Sequence, residues 1–427
     1  MFDINSYAEV EKIKDAYDNF WEESEYNAVS MHSIHAYPAK FPPFIAGKAI
    51  DYAIKEGVKV RRIGDVFCGC GTTALEAKLR GLDFWGCDIN PVAAMISSAK
   101  VADYSAKKLQ AYYSQVMQYY QESSIRQGTY ATANERLRYW YSERQYDDLF
   151  KLFDAINSII PSADNVALEG FYCVFSAILK KASRWLQKSI KPQVDPHKQE
   201  VNVKTLFENQ FKSFIKAVKE INQKNITQCK CEIWLGDFLT CKKRKKVDLI
   251  LTSPPYVTSY EYADLHQLSS LWLGYTNDYK ELRKGTIGSG YNYNNCSITK
   301  LKLNTTASSI VAELQSKCIT NSKILPIARY YSEMQAATKK CYEMLNQGGM
   351  AVFVIGDTEL GGVKLLNSVH LVETMISSGF TSIKIGKRTV SKGICVPYRN
   401  AEGRFTQDKE SSHQIYHEEF IISGRKK

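Results

Sequence analysis

Val247-Asp248-Leu249-Ile250-Leu251-Thr252-Ser253-Pro254-Pro255-Tyr256 decides how this chain is read. The apolar run from Val247 to Leu251 predicts a buried strand. Two consecutive prolines cannot donate to a ladder, so the strand stops before them. What remains is a rigid loop at the carboxyl end of a strand, where open α/β sheets bind ligands. Pro254 holds Ser253 in an extended conformation, so carbonyls are presented without an ordering cost. Ser253 brings a hydroxyl and Tyr256 a flat face for stacking. A group that accepts hydrogen bonds from an aromatic amine draws its lone pair out of conjugation. That chemistry suits alkylation of an exocyclic amine. The plainer alternative is a proline turn that carries a tyrosine.

Working outward, residues 60–67 predict a strand, Cys68-Gly69-Cys70-Gly71-Thr72-Thr73 a glycine loop and Ala74 to Arg80 a helix. Residues 81–88 predict a second strand ending in Asp88. Strand, glycine loop, helix, strand, acid is a nucleotide-binding unit: glycines let the backbone approach the ligand, and the acid accepts from ribose hydroxyls. Gly69 and Gly71 with Ala74 also fit the dinucleotide pattern, so this unit alone does not separate NAD from S-adenosylmethionine.

Upstream, apolar spacing over residues 4–28 predicts an N-terminal helix. His32-Ser33-Ile34-His35-Ala36-Tyr37-Pro38-Ala39-Lys40-Phe41-Pro42-Pro43 reads as a packed loop. No third ligand stands near His32 and His35, so a structural or covering role is preferred to a metal. From Asn90 to about Asn225 the pattern is helical, including a long helix over Leu168 to Gln187, and it interrupts the α/β alternation. Strand character resumes at Cys231 to Leu235 and ends at Gly236-Asp237, an acid placed to receive an adenine amine. Residues 283–307 read as a mobile polar loop, with Tyr291 and Tyr293 between asparagines. Helices are expected over Ala328 to Leu345 and Val363 to Ser378, and strands over Met350 to Ile355, Thr381 to Val390 and Gln414 to Ser423.

The fold class expected is α/β: a Rossmann-like sheet with helices on both faces, plus a helical insertion. The division is 1–100, 101–225 and 226–427, the middle part either contacting nucleic acid such as DNA or simply covering the sheet. The 427 residues suffice for a large core. No run of eighteen apolar residues and no signal-peptide pattern appear, so a cytoplasmic protein without a membrane partner is expected. Eleven cysteines are scattered without a disulfide spacing. Cys229, Cys231 and Cys241 lack the paired spacing of a structural zinc site, so no metal is expected. The net charge of +11 fits a polyanion partner. It is concentrated at 242–246, between Lys180 and Lys204, and at the last three residues. Solvated basic loops are the ordinary alternative for any one run.

Taken together these residues resemble the amino-group DNA methyltransferases that use S-adenosylmethionine. Asp65-Val66-Phe67-Cys68-Gly69-Cys70-Gly71-Thr72-Thr73 is similar to the family's cofactor signature, and Ser253-Pro254-Pro255-Tyr256 to its catalytic signature. His35 to Pro42 looks like the segment that closes over the methionine end of the cofactor in one bacterial group. The resemblance covers roughly residues 30–100 and 230–390, and Cys68 and Cys70 depart from the commoner polar or small residues. It implies that Tyr37, Pro38, Asp65, Phe67, Gly69, Gly71, Thr72 and Thr73 shape the cofactor site. Asp88 would hold its ribose and Asp237 its adenine. Ser253 and the Pro254 carbonyl would take hydrogen bonds from the target amine, and Pro255 and Tyr256 would complete the loop, with Tyr256 stacked on a flipped base. Serine at the first motif position is the pattern associated with cytosine-N4 methylation. The implied partners are double-stranded DNA, which would associate the protein with the bacterial nucleoid, and a separately encoded restriction endonuclease. Adenine-N6 methylation is the second reading and an RNA amino-methyltransferase the third. An NAD-dependent oxidoreductase leaves the Ser253 loop unexplained. Ring-carbon methylation of cytosine is set aside because the chain contains no Pro-Cys dipeptide.

Overall fold

The computed structural model describes residues 1–13, 18–22, 26–38, 40–124, 129–242, 244–258, 261–292, 297–390, 398–399, 405–406, 413–414 and 418–427. Ala39 of the covering segment, Lys243 of the basic run, Tyr293 and its following asparagines, and residues 391–397 lie outside them.

The chain opens with β1 (Phe2–Ile4), α1 (Pro43–Lys55), β2 (Arg62–Asp65), α2 (Thr72–Leu79), β3 (Asp83–Asp88) and α3 (Pro91–Val101). Five helices follow: α4 (Ala106–Glu122), α5 (Glu135–Trp140), α6 (Glu143–Ile159), α7 (Asn165–Ala182) and α8 (Val203–Asn222). Next come β4 (Cys231–Leu235), β5 (Val247–Thr252), α9 (Tyr262–Leu265), α10 (Gln267–Trp272), α11 (Thr305–Ser316) and α12 (Asn321–Met344). The last part holds β6 (Leu345–Ile355), β7 (Thr358–Leu360), β8 (Val363–Leu365), α13 (Asn367–Ser378) and β9 (Thr381–Thr389). The short strands β10 (Tyr398–Arg399), β11 (Phe405–Thr406) and β12 (His413–Gln414) form a sheet of their own, and β13 (Glu418–Arg425) closes the chain.

The main sheet has eight strands in the order β1-β9-β13-β6-β5-β2-β3-β4. From β4 to β6 every neighbouring pair is parallel. β13 runs antiparallel between β6 and β9, and β1 pairs antiparallel with β9 at the edge. The strand order reverses between β2 and β5. Their carboxyl ends therefore flank the crevice where open α/β sheets hold ligands. Side chains alternate across the sheet. Leu249, Leu251, Val352 and Ile421 pack with Ile45, Ala49 and Ile50 of α1. Ile250, Ala351, Phe353 and Ile422 pack with Ala337 and Cys341 of α12 and with Val369 and Val372 of α13. Both faces are covered, as such parallel strands require.

Local chemistry explains the boundaries. Asn90 caps α3 by accepting from the N–H groups of Val92 and Ala93, with Pro91 at the first helical position. Gly379 ends α13 at φ 98°. The helical block shares a core with the rest: Phe171, Phe175 and Phe207 pack in one cluster with Leu75, Val92, Met31 and Trp272.

Four expectations are corrected. Residues 4–28 do not form one helix: β1 pairs Phe2 with Ile385, and 3-10 turns at Tyr7–Ile13 and Asn19–Trp21 follow. Pairing on an open sheet edge outweighs the apolar spacing there. The helix expected to Gln187 stops at Ala182, and Trp185 instead pairs with Val194. The stretch 283–307 holds 3-10 turns at Gly290–Asn292 and Ile298–Lys300 in its described parts, and α11 begins at Thr305. α12 begins at Asn321 and carries Pro326 inside it, and residues 363–365 are strand, not helix.

Gly71 tests the packing behind the glycine loop. Its φ is 75°, and a Cβ there would stand 2.3 Å from Ser97 Oγ and 2.8 Å from Ser97 Cα on α3. Gly71→Ala is expected to cost about 2–4 kcal/mol, from the left-handed backbone plus overpacking, measured by urea unfolding.

Candidate active site

Four parallel strands deliver their loops to one edge. β2 ends in Asp65, which is buried. Its Oδ1 accepts from Phe67 N at 3.1 Å and from Thr252 Oγ1, the last residue of β5, at 2.6 Å. The glycine loop and the Ser253 loop are thus tied at their roots. β3 ends in Asp88, whose two carboxylate oxygens accept from Gly69 N and Asn90 N, both at 2.8 Å. Burial pushes Asp65 and Asp88 up to about 6 each. Beyond β4, Gly236 N donates to Asp88 O at 2.9 Å, and Asp237 Oδ1 accepts from Leu239 N at 2.7 Å.

The covering segment is fastened from behind. His32 Nε2 meets Glu76 Oε1 at 2.8 Å, and the same carboxylate takes Tyr26 Oη and Arg80 Nη1, both at 2.6 Å. His35 sits between Ala36 O at 2.8 Å and Ser176 Oγ of α7 at 2.9 Å. These two histidines hold the segment in place through protein partners. Tyr37, beside half-exposed Pro38, reaches the glycine loop: a Cβ on Gly69 would lie 3.8 Å from its ring. On its other side the Tyr37 ring stacks on Tyr262 at 6.3 Å and packs on His266 at 4.9 Å.

In the loop after β5, Pro254 is buried while Ser253, Pro255 and Tyr256 are partly exposed. Ser253 Oγ donates to Val354 O of β6 at 3.1 Å. The hydroxyl hydrogen is therefore spent, and the oxygen's remaining lone pairs can only accept. Tyr330 Oη donates to Pro255 O at 2.8 Å. Tyr256 Oη donates to Glu419 Oε1 at 3.0 Å, and Arg388 holds Glu419 Oε2 from Nη2 at 2.6 Å. This fixes the Tyr256 ring at the mouth of a cavity of about 340 Å³. Thr286, Ile287, Gly288, Tyr262 and Tyr330 also line it.

Asp65, Phe67, Gly69, Gly71, Thr72, Thr73, Asp88 and Tyr37 thus stand together beside Ser253 to Tyr256, with Asp237 one loop further along the same edge. The sequence gives no hint of Asn90, Tyr262, His266 or Tyr330. Asn90 Oδ1 accepts two N–H groups of α3, so its Nδ2 must donate to His266 Nδ1 at 3.0 Å. That places the His266 proton on Nε2, which is buried and has no acceptor among the described residues. Burial lowers this imidazole to about 3, so it is neutral. Only the chain's return past the Ser253 loop brings it beside Tyr37.

These features fit S-adenosylmethionine. α2 has no side-chain cap and no acid in its first turn, which leaves its positive end for an anion such as a carboxylate. Among the described residues, buried Thr72 Oγ1 and the buried His266 Nε2 donor have no partner. Gly69, at φ 50°, leaves room for close approach beneath Tyr37, whereas Gly71, at φ 75°, makes the turn against Ser97.

Residues 3–98 match the DNA methylase family model, a span that contains the covering segment, the glycine loop and Asp88. Among relatives, Type II methyltransferase M.MvaI of Kocuria varians is 27% identical over 265 residues, 57% of this chain and 57% of that one. Type II methyltransferase M.BsoBI of Geobacillus stearothermophilus is 26% identical over 311 residues, 64% and 60% of the two chains. The chain thus spans under two thirds of these relatives. The rRNA methyltransferase aviRa from Streptomyces viridochromogenes aligns over 96% of both chains at 10% identity with a TM-score of 0.34, too distant to carry an argument.

A buried carboxyl held near 6 binds its proton more tightly in the folded than in the unfolded chain, where its value is 3.8. Asp88 therefore adds stability as pH falls from about 6 to about 4, and that contribution is absent above 6. Subtracting the unfolding free energy of Asp88→Asn from that of the wild type across this window is expected to give a difference that rises toward acid. A flat difference would place the proton elsewhere.

Proposed function

We propose, from the premise that this chain belongs to the amino-group DNA methyltransferase family, that it moves a methyl group from S-adenosylmethionine to the exocyclic N4 amine of a cytosine flipped out of double-stranded DNA. The observation that carries this is the Ser253 hydroxyl: its hydrogen is committed to Val354 O, so the oxygen is a neutral acceptor at the strand end beside the glycine loop. Adenine-N6 is the second reading, because both amines need the same acceptors. A restriction-modification setting, with a separate endonuclease, fits the names of the relatives.

The residues take these roles. Gly69, Gly71, Thr72 and Thr73 would cradle the methionine end of the cofactor at the start of α2, with Asp65 and Phe67 shaping the loop and Tyr37 and Pro38 packing over it. Asp88 would accept from the ribose and Asp237 from the adenine amine. His266 would donate its Nε2 proton to the cofactor, relieving a buried donor that otherwise has no partner. When bound, the cofactor supplies an electrophilic methyl on a sulfonium leaving group. Ser253 Oγ and the Pro254 carbonyl accept the two amine hydrogens, which turns the nitrogen lone pair out of the ring and toward that methyl. Tyr256, held by Glu419, offers the face against which the flipped base lies. On taking up the methyl group the amine would carry one proton too many, which solvent would accept. The chain's part is alignment and acceptance.

Ser253→Ala is expected to lower turnover roughly 100-fold or more, as for loss of one positioned hydrogen-bonding group, with cofactor affinity unchanged. Methylation-aware sequencing of DNA from cells expressing the wild type and this variant reads the product directly. N4-methylcytosine at one motif, absent in the variant, is the expected result. N6-methyladenine would overturn the cytosine assignment and keep the mechanism. If NAD raises the melting temperature and S-adenosylmethionine does not, the methyltransferase reading is lost.

A further inference from the structure

The helical block carries a charge pattern that the catalytic reading does not use. Residues 135–144 and 180–204 hold ten Lys and Arg against four Asp and Glu, a surplus of six out of the chain's net +11. Arg144 is matched by Glu200 and Lys204 by Glu208. The surplus therefore lies between them, around the stacked pair Trp140 and Trp185, whose rings sit 5.0 Å apart at 18°.

The fold brings these cations together and satisfies their hydrogen bonds with neutral acceptors. Lys180 Nζ donates to Ser189 O at 2.8 Å and Gln187 O at 3.2 Å. Lys198 Nζ donates to Lys180 O and Trp185 O, both at 2.9 Å. Arg184 Nη2 donates to Tyr139 O and Arg138 O. A carbonyl meets the hydrogen-bonding need and leaves the charge uncompensated. Asp195 is the nearby acid, and burial together with Lys180 outweighs it, lowering Lys198 to about 8. The carboxyl end of α7 favours cations in its last turn, which accounts for Lys180 and Lys181 but not for the rest. Crowding like charges on a folded surface costs stability, and a polyanion recovers that cost.

The patch also leads somewhere. Tyr139 is 49% exposed, with the Arg136 guanidinium 4.8 Å from its ring centre. Arg136 Nε is fixed on Gln267 Oε1 at 2.6 Å, and its guanidinium also faces Tyr279 at 5.5 Å. Arg283, its charge matched by Asp264, faces Tyr279 at 5.8 Å and the exposed Tyr291 at 4.5 Å. This alternation of guanidinium and ring runs from the helical block to the loop 286–289, which lines the cavity beside Pro255 and Tyr256.

We propose that this surface seats the sugar–phosphate backbone of the duplex, with phosphates on the belt from Arg138 to Lys198 and the Arg–Tyr row guiding the strand to the cavity. The proposal rests on the methyltransferase reading. Lys181, Lys188 and Tyr139 are exposed and outside the catalytic machinery, which makes them the positions to change. The rival basic surface is α8, where Lys212, Lys216 and Lys219 line a shallow groove.

The test is fluorescence anisotropy with a labelled duplex over roughly 50 to 200 mM salt, with far-UV circular dichroism and the melting shift on adding S-adenosylmethionine as folding controls. Lys181→Gln with Lys188→Gln is expected to reduce the salt slope by about 2, near 0.9 per phosphate contact, and to weaken binding about tenfold. Tyr139→Ala is expected to weaken binding without changing the slope. The triple change Lys212→Gln, Lys216→Gln, Lys219→Gln is expected to leave both unchanged. An unchanged slope in the Lys181/Lys188 variant, or a loss carried by the α8 variant, overturns the proposal. A wild type that binds S-adenosylmethionine but no duplex also overturns it. A wild type that binds neither removes the methyltransferase reading along with it.

Discussion

The hydrogen bond from Thr252 to Asp65 joins the two halves of the candidate site. Asp65 closes the strand that feeds the glycine loop, and Thr252 closes the strand that feeds the Ser253 loop. The two parallel strands are neighbours because the strand order reverses between them. A cofactor seated on one loop and an amine held by the other must meet within a bond length. The parallel register sets that distance, and the buried carboxylate locks it. The fastening of Tyr37, Glu76 and α3 behind the glycine loop serves to keep this edge fixed.

Rigidity on the cofactor side comes from buried polar groups that each join several elements. Glu76 accepts from His32, Tyr26 and Arg80, and so ties the covering segment to α2 rather than leaving it as a free flap. Asn90 serves three partners at once: two N–H groups of α3 and the His266 ring. Shared buried partners favour one arrangement, and buried polar atoms without a partner among the described residues call for an explanation. Thr72 Oγ1 and His266 Nε2 are two such atoms, and both belong to groups proposed to meet the cofactor.

What was legible in the sequence follows from chain locality. The unit from β2 to Asp88 could be read because its strand, glycines, helix and acid are consecutive. The Ser253 loop could be read because two prolines must end a strand. Where distant pairing decides, the reading failed. The segment 4–28 looked helical by spacing, yet β1 finds Ile385 on an open sheet edge. The helix after Leu168 stops at Ala182 because Lys180 and Lys198 turn back to cap the following carbonyls, a contact invisible to periodicity. The Gly- and Asn-rich stretch after 283 is held by Arg283 on Asp264 and by Ser289 on Glu261, partners that lie up to 28 residues away. His266 escaped notice because a histidine in a short helix means nothing until Tyr37 and Asn90 are placed around it.

The neutral Ser253 has a physical logic in its place on the sheet. β2 and β3 end in Asp65 and Asp88, and β6 is followed by Asp357, each pushed up to about 6 by burial. Ser253 follows β5, which lies between β6 and β2. A carboxylate at 253 would add a fourth anion flanked by Asp357 and Asp65, and each would raise the others further. A hydroxyl whose hydrogen is drawn off to Val354 O offers lone pairs without adding charge. It can therefore accept from an amine while the neighbouring carboxylates stay available to the loops they brace. On this sheet, acceptance without charge is what the strand end between two acids can supply, and serine is the residue that supplies it.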